Sequence, residues 1–469
     1  MVGEPEALLA KHQRDLKIQR FLFVIAALSS LWMLHIRPDA MGNDFSGHKA
    51  YLQHLQNNPF DPFAYTNHES WHPPTYYYIA GVAAKIGEAL GWSAVKGARL
   101  ISAILYLIYI YFGFLSLRLF LSGWALVASS VLLIAWPSNL ELATRVNSDA
   151  AIYPIYAATQ YYVMRAFLSD RFNDCMRALA ISFVGLAFKS SALVPVSIAA
   201  VATGCWLIIN CRSWRHRKFI SRRTICALVG LFCIGVSINA SRFISAKFLG
   251  TPISPFYLGG VRTEVFSFFD LLALRPYRLI ETPFSQPPFI GSSVMEFALR
   301  TAVFTEYPFF TQYRVLAQVL IAGIVLQLVT IAIYLISLVP AVIRWLRSRC
   351  VRACASAASS EDLACHRGDS GAADQECLGV LILLMLVSIA VGSLLVFTLL
   401  RHWIVCANYR FVQPSIIAWI ALVFLPLQGS WRRSKRGAGL WMLWYLGATV
   451  LTLVALAIFL LKISLLVSG

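Results

Sequence analysis

Charged residues make up only 13% of this 469-residue chain, about half the share of an ordinary soluble domain, and acidic residues are scarcest, with 22 Asp+Glu against 40 Lys+Arg. That scarcity excludes a soluble enzyme. The chain also has no internal repeat and no glycine-rich GxGxxG fingerprint, which argues against a nucleotide-dependent cytoplasmic enzyme. Its ten cysteines follow no disulfide or zinc spacing. Cys350, Cys354, Cys365 and Cys377, with His366, are too irregular for a zinc module and read as ordinary thiols. What the chain has instead is apolar residue, 58% of the total, in runs such as 19–36, 378–400 and 440–461. Each is near the ~20 residues that cross a bilayer. The expected class is an all-α polytopic integral membrane protein. Free nucleic-acid-binding domains and secreted disulfide scaffolds are excluded with the soluble enzymes.

The net charge of +18 is explained first by topology. Lys11, Arg14, Lys17 and Arg20 precede the first run, which carries no small-residue cleavage site. The positive-inside rule therefore places the N-terminus in the cytoplasm on a retained helix. The basic clusters around Arg212–Arg223, Arg344–Arg352 and Arg432–Arg436 belong on the same side. Parity is then satisfied if 178–210 divides into two helices at Lys189, Ser190, Ser191 and Pro195, and if 75–91, behind Pro73–Pro74, lies on the outer surface. About 11 transmembrane helices follow, with juxtamembrane helices outside. Three regions are expected: an N-terminal transmembrane module over 1–242 with its first outer loop at 37–98, an aromatic and proline-rich outer loop over 243–315 packed as a lid, and C-terminal helices over 316–469 with a flexible cytoplasmic connector at 343–377. Keeping 75–91 as a span and 178–210 as one helix also satisfies parity, but puts Arg145 and Asp149 on the cytoplasmic side.

The first outer loop is the densest in chemistry. Asp44 follows the first span, and His48, Tyr51 and Leu55 continue at helical spacing, so a surface helix over 45–56 would place Asp44 at its N-cap. Asp44 is either that cap or a reactive carboxylate at the lipid–water boundary. His68-Glu69-Ser70-Trp71-His72 formally matches HExxH, which needs both histidines one helical turn apart. Pro73 pushes His72 out of helical conformation, so a zinc protease is disfavoured. Glu69 and His72 remain thin candidates for a metal. Tyr76, Tyr77 and Tyr78 read as an aromatic belt.

Asp44, His72-Pro73-Pro74-x-Tyr76, Arg99-Leu100, Arg145-x-x-x-Asp149, Gly185-Leu-Ala-x-Lys189 and the late Tyr409-Arg410-Phe411-x-x-Pro414 occur in an order that resembles the GT-C superfamily of membrane glycosyltransferases. More narrowly, the chain is similar to the protein mannosyltransferase and lipid A aminoarabinose transferase group, which uses polyprenyl-phosphate sugars. It departs from the first in having Asp44-Phe45 where an Asp-Glu pair is common, and from the second in having His72-Pro73-Pro74 where Lys-Pro-Pro is usual. The resemblance implies an inverting transfer of a hexosyl or pentosyl unit from a polyprenyl-phosphate donor to a lipid, glycan or protein acceptor. It implies Asp44 as general base and sugar contacts by Asp149. The leaving phosphate needs cations more than a proton. Arg145, Lys189, Arg401 and Arg410 are the expected phosphate contacts, with His72 either beside them or closing a proline-rich turn. Lys189 inside an apolar run needs a partner or a cavity, and Arg145 and Asp149 could simply pair with each other. No cofactor is required by this chemistry, although a divalent metal is compatible with it. The setting implied is a bacterial inner membrane with the site facing the periplasm or exterior. A transporter or lipid-carrier flippase is the rival reading, and it would call for internal repeats and several mid-span ionisable residues.

Overall fold

The computed structural model describes residues 4–36, 45–60, 62, 69, 72–142, 144–209, 221–249, 272–284, 293–304, 314–358, 372–401, 409–427 and 438–468. Among these the chain is helical throughout and contains no strand. Asp44 lies outside the described residues, and so do the side chains of Arg401 and Arg410.

Six described helices have segments long and apolar enough to cross a membrane: Gln13–Ile36, Ala94–Phe120, Ser190–Ile209, Arg222–Ser241, Arg314–Arg344 and Glu376–Val396. Gly123–Ala135, Val412–Leu427 and Trp444–Ile458 are apolar but shorter. The protein is thus a multi-pass integral membrane protein. Reaching eleven crossings would also require Asp149–Leu168 and Phe172–Leu186, which do not qualify by length and composition.

The N-terminal half builds the platform for the site. Helix α1 (Glu4–Ile36) is tied to its neighbours by polar side chains near its cytoplasmic-charge end. The Gln19 amide donates to the Phe114 carbonyl (3.2 Å) and to Ser130 Oγ (3.4 Å), while Asp15, 4% exposed, accepts from the backbone N of Gly123 at 3.0 Å. Gly123 opens α5 (Gly123–Ala135), so an acid of the first helix satisfies one of the otherwise orphaned N–H groups at the start of the fifth. Helix α2 (Phe45–Asn57) forms where the i, i+3, i+4, i+7 spacing predicts a one-sided helix, and it buries His48, Tyr51, Leu52 and Leu55.

Helix α3 (Thr75–Ala89) starts directly after the two prolines, as their fixed backbone and missing N–H groups favour. It packs against α2 and against α4 (Ala94–Phe120). The α3–α4 contact is close. A Cβ on Gly97 would stand 2.6 Å from the Ala83 carbonyl oxygen and 2.9 Å from the Ala84 Cα. A four-residue turn joins the two helices: Gly91 adopts φ +79°, and Ser93 caps α4 by accepting from the Lys96 N at 3.2 Å. Tyr76 and Tyr77 are fully buried here, not on a surface belt, because α2, α4 and the segment before α7 cover them and supply partners for their hydroxyls.

The run over 178–210 divides as expected. Helix α8 (Phe172–Leu186) ends, residues 187–189 turn, a single 3-10 turn spans Ser190–Ala192, and α9 (Leu193–Ile209) follows. Helix α6 (Pro137–Leu142) and α7 (Asp149–Leu168) bracket the short segment carrying Arg145. Helix α10 (Arg222–Leu249) lies against α8, where a Cβ on Gly235 would meet the Phe183 carbonyl at 2.7 Å.

Within the region expected as the outer loop, α11 (Pro276–Glu281) and α12 (Val294–Phe304) form a small polar-bound unit. Ser293 and Glu296 make a reciprocal capping box: the Glu296 N donates to Ser293 Oγ (3.1 Å) and the Ser293 N to Glu296 Oε2 (3.2 Å). Arg275 grips the same carboxylate through two guanidinium bonds of 2.7 and 3.0 Å. Helix α13 (Arg314–Ala358) continues into the segment expected to be a flexible connector, so that segment begins as helix. Helix α14 (Ala372–Arg401), a 3-10 stretch Tyr409–Ser415, α15 (Ile416–Phe424) and α16 (Ala438–Ser468) complete the bundle. The 3-10 stretch touches both α7 and α12.

Candidate active site

Three sequence-distant pieces converge: the turn before α3, the N-terminus of α7 and the turn after α8. The Thr75 hydroxyl donates to the Ala187 carbonyl at 2.7 Å. Thr75 is three residues after His72 and Ala187 two before Lys189, so this single bond holds the proline turn against the lysine turn. The carbonyl it satisfies is one that α8 leaves unpaired at its end. Gly185 lets the turn close, with Ala192 and Ile155 atoms 3.0 Å from where its Cβ would be.

A second chain of bonds positions the start of α7. The Ser102 hydroxyl of α4 donates to the Arg145 carbonyl (2.6 Å), the Tyr76 hydroxyl pairs with Ser102 Oγ (2.8 Å), and the Asn147 N donates to Tyr76 Oη (3.1 Å). The Asn147 side chain then accepts from the Asp149 N at 2.8 Å. With Ser102 donating onward and Asn147 donating inward, Tyr76 supplies its one proton to Ser102. Burial pushes its hydroxyl pKa up to about 12 and keeps it neutral. A layer of Tyr51, Tyr76, Tyr77, Ala80, Val95, Ala98, Val146 and Ala150 fills the space between these elements.

The reactive groups sit on this frame. Lys189 Nζ lies 2.7 Å from Asp149 Oδ1, with Lys189 5% and Asp149 1% exposed. The lysine inside an apolar run thus has its partner. Glu69 Oε2 lies 3.4 Å from His72 Nε2 and 3.1 Å from His48 Nδ1, and His48 Nδ1 is also 2.6 Å from the Tyr77 hydroxyl. Burial and the Lys189 charge hold the His72 imidazole below its ordinary pKa, against the opposing pull of Glu69, so His72 is neutral near pH 7. Arg145 (7% exposed) and Arg99 (1%) are also buried, each next in sequence to a residue of this layer, Val146 and Ala98. The result is a buried lysine–aspartate pair beside an imidazole–carboxylate group.

The structure therefore brings together His72, Asp149 and Lys189 among the expected site residues, with Glu69 and His48, and ties the Arg145 backbone to α4 through Ser102. For Arg410 and Arg401 only the backbone is placed, in the 3-10 stretch and at the end of α14. Asp44 lies outside the described residues; helix α2 begins at the next position, as a cap at 44 requires. The HExxH segment is not helical at its second histidine: His72 donates its N to the Glu69 carbonyl (3.1 Å) and α3 begins only at Thr75. Among the described residues no group of three or more His, Cys, Asp or Glu is arranged to hold a metal ion. Glu69 Oε2 sits between two imidazoles, within ion-pair distance of both. His48 was legible only as one position of an amphipathic pattern; nothing in its spacing separated it from Tyr51 or Leu55.

Residues 71–238 match the sequence profile of a family described as dolichyl-phosphate-mannose-protein mannosyltransferase. The matched stretch contains His72, Arg99, Arg145, Asp149 and Lys189. No curated protein matches the chain in sequence. Among solved structures, the chain is similar to ArnT from Cupriavidus metallidurans in the apo state, with 15% identity, a TM-score of 0.39 and coverage of 89% of this chain and 79% of that one. It is likewise similar to the same protein bound to undecaprenyl phosphate, at 17% identity with the same TM-score and coverage. The matched stretch is 168 of the chain's 469 residues.

Proposed function

We propose that this GT-C-type membrane protein transfers one sugar from a polyprenyl-phosphate donor to a lipid, glycan or protein acceptor at the outer face of a bacterial inner membrane. The observation that carries the reading is the buried Lys189–Asp149 pair beside the neutral His72, all within the stretch that matches the mannosyltransferase family.

Each group has a task in such a transfer. The acceptor hydroxyl attacks the anomeric carbon as the sugar–phosphate bond breaks, giving inversion, and the polyprenyl phosphate leaves with the electron pair. Asp44 takes the hydroxyl proton. Lys189 and Arg145, with Arg401 and Arg410 from the late part of the chain, stabilise the phosphate's developing charge. Asp149 accepts hydrogen bonds from sugar hydroxyls. His72, held neutral by burial and with Nε2 facing Glu69, offers Nδ1 as an acceptor to a donor hydroxyl without adding a charge. No cofactor is needed, and no step is assigned to a divalent metal.

The test is transfer by purified protein from a panel of radiolabelled polyprenyl-phosphate sugars to membrane extracts. Asp44→Asn is expected to fold, express and bind donor while transferring nothing. A folded wild-type protein that transfers no sugar from any donor in the panel, or full activity in Asp44→Asn, would overturn the reading or the assigned base respectively.

A further inference from the structure

Lys189 and Asp149 neutralise each other in a buried setting. That arrangement conflicts with the use of Lys189 as a phosphate ligand. A donor phosphodiester carries one negative charge, and placing it on Lys189 while Asp149 stays 2.7 Å away brings two anions together at low effective dielectric, where like charges within ~4–6 Å disfavour each other. One of the two must yield.

The surroundings favour movement of the carboxylate. Lys189 stands in an extended conformation (φ −164°, ψ 148°) at the start of the 3-10 turn, held by its backbone N to the Gly185 carbonyl (3.2 Å) and by the Thr75–Ala187 bond beside it. The Asp149 backbone is fixed by Asn147, and its side chain stands at the first position of α7, where it is not tied by the bonds that hold the lysine turn.

We propose that the Lys189–Asp149 pair is an exchange latch: the donor's phosphate takes the Lys189 ammonium, and the released Asp149 carboxylate turns to the hydroxyls of the sugar on that same phosphate. This rests on the reading of the site as a polyprenyl-phosphate sugar transferase. It deepens that reading by making the two halves of the donor depend on each other. The sugar supplies hydrogen-bond donors for a carboxylate that has lost its lysine. A bare polyprenyl phosphate has no sugar hydroxyls, so with the spent carrier bound the Asp149 carboxylate competes for Lys189 again and the latch closes behind it. No covalent bond changes in the exchange: one ion pair is replaced by another, and the sugar hydroxyls satisfy the freed carboxylate.

The probe is undecaprenyl phosphate without sugar, titrated against the detergent-solubilised full chain and read by native mass spectrometry. In the wild type it must displace Asp149; in Asp149→Asn there is no competing carboxylate. Asp149→Asn is therefore expected to bind this lipid about tenfold more tightly, a typical size for relief of one charge contact, while Lys189→Gln binds it more weakly than wild type. Sugar transfer is expected to be lost in both. Equal or weaker lipid binding by a folded Asp149→Asn protein overturns the latch. If Asp149→Asn does not stay monodisperse alone, undecaprenyl phosphate present during solubilisation should restore it by compensating Lys189; failure to restore it also overturns the latch. Tighter binding by Asp149→Asn together with no transfer from any donor by the wild type would keep the exchange and discard the transferase reading.

Discussion

The Gln413 amide donates to Ser138 Oγ at 2.6 Å, joining residues 275 positions apart in the chain. The same nitrogen reaches Asn139 Oδ1 at 3.0 Å, and Ser138 in turn donates to the Ala302 carbonyl, which also receives the Trp136 indole N–H at 2.6 Å. The late motif, the outer loop and the end of α5 therefore meet at one buried polar knot. Gln413→Leu removes a donor that serves two acceptors, and should lower stability by about 1–3 kcal/mol. A thermal melt in detergent reads this; an unchanged melting temperature would show that the knot is not holding these parts together.

The close approach of α3 and α4 predicts a steric effect at Gly97. A methyl group there meets backbone of Ala83 and Ala84, which cannot rotate away. Gly97→Ala should cost about 1–3 kcal/mol and displace the helix that follows His72, reducing transfer. Gly204→Ala is the control, because a Cβ at Gly204 meets nothing within 4 Å. Equal melting temperatures for the two variants would contradict this packing.

His72 gives a pH dependence with a definite sign. Its folded pKa lies below the unfolded value of about 6.5, so near and above that value it is neutral in both states and carries no penalty. As pH falls below about 6.5 the unfolded chain takes up the proton first, and stability declines until pH passes the folded pKa. Melting temperature followed from pH 8 to 5 should fall, and His72→Gln should flatten the part of the curve that begins below about 6.5. A variant curve parallel to the wild type would remove His72 as the cause.

Glu296 is the hinge of the α11–α12 unit. Burial raises its carboxyl, but bonds from Arg275 and the Ser293 N outweigh that and leave it below its ordinary pKa. Glu296→Gln keeps the shape and removes the charge. It should cost about 1–3 kcal/mol and loosen the unit, seen as faster proteolysis between residues 272 and 304. Cleavage at the wild-type rate would show that the capping box does not limit opening.

Composition and charge placement made the helical membrane class readable, because bilayer thickness and loop charge act on segments of about 20 residues. The break at 187–192 was readable for the same reason, since a lysine and a proline interrupt a run too long for one helix. The start of α3 was readable from Pro73–Pro74. The partners of the site residues were not readable in this way. Lys189 finds Asp149 because Thr75 ties the turn after α8 to the start of α3, a contact spanning 112 residues that no local pattern encodes. Tyr76 and Tyr77 looked interfacial because a run of tyrosines usually is; three elements from elsewhere in the chain cover them instead. His48 became distinct from its helical neighbours only when Glu69 was placed beside it.

The Asp15–Gly123 bond carries a consequence for biogenesis. Its two ends are separated by 108 residues of chain. At a synthesis rate of roughly 5–20 residues per second, the first helix waits about 5–20 s in the bilayer before the ribosome delivers the N–H that its buried acid needs. The first helix therefore cannot complete its final polar packing until the fifth helix arrives.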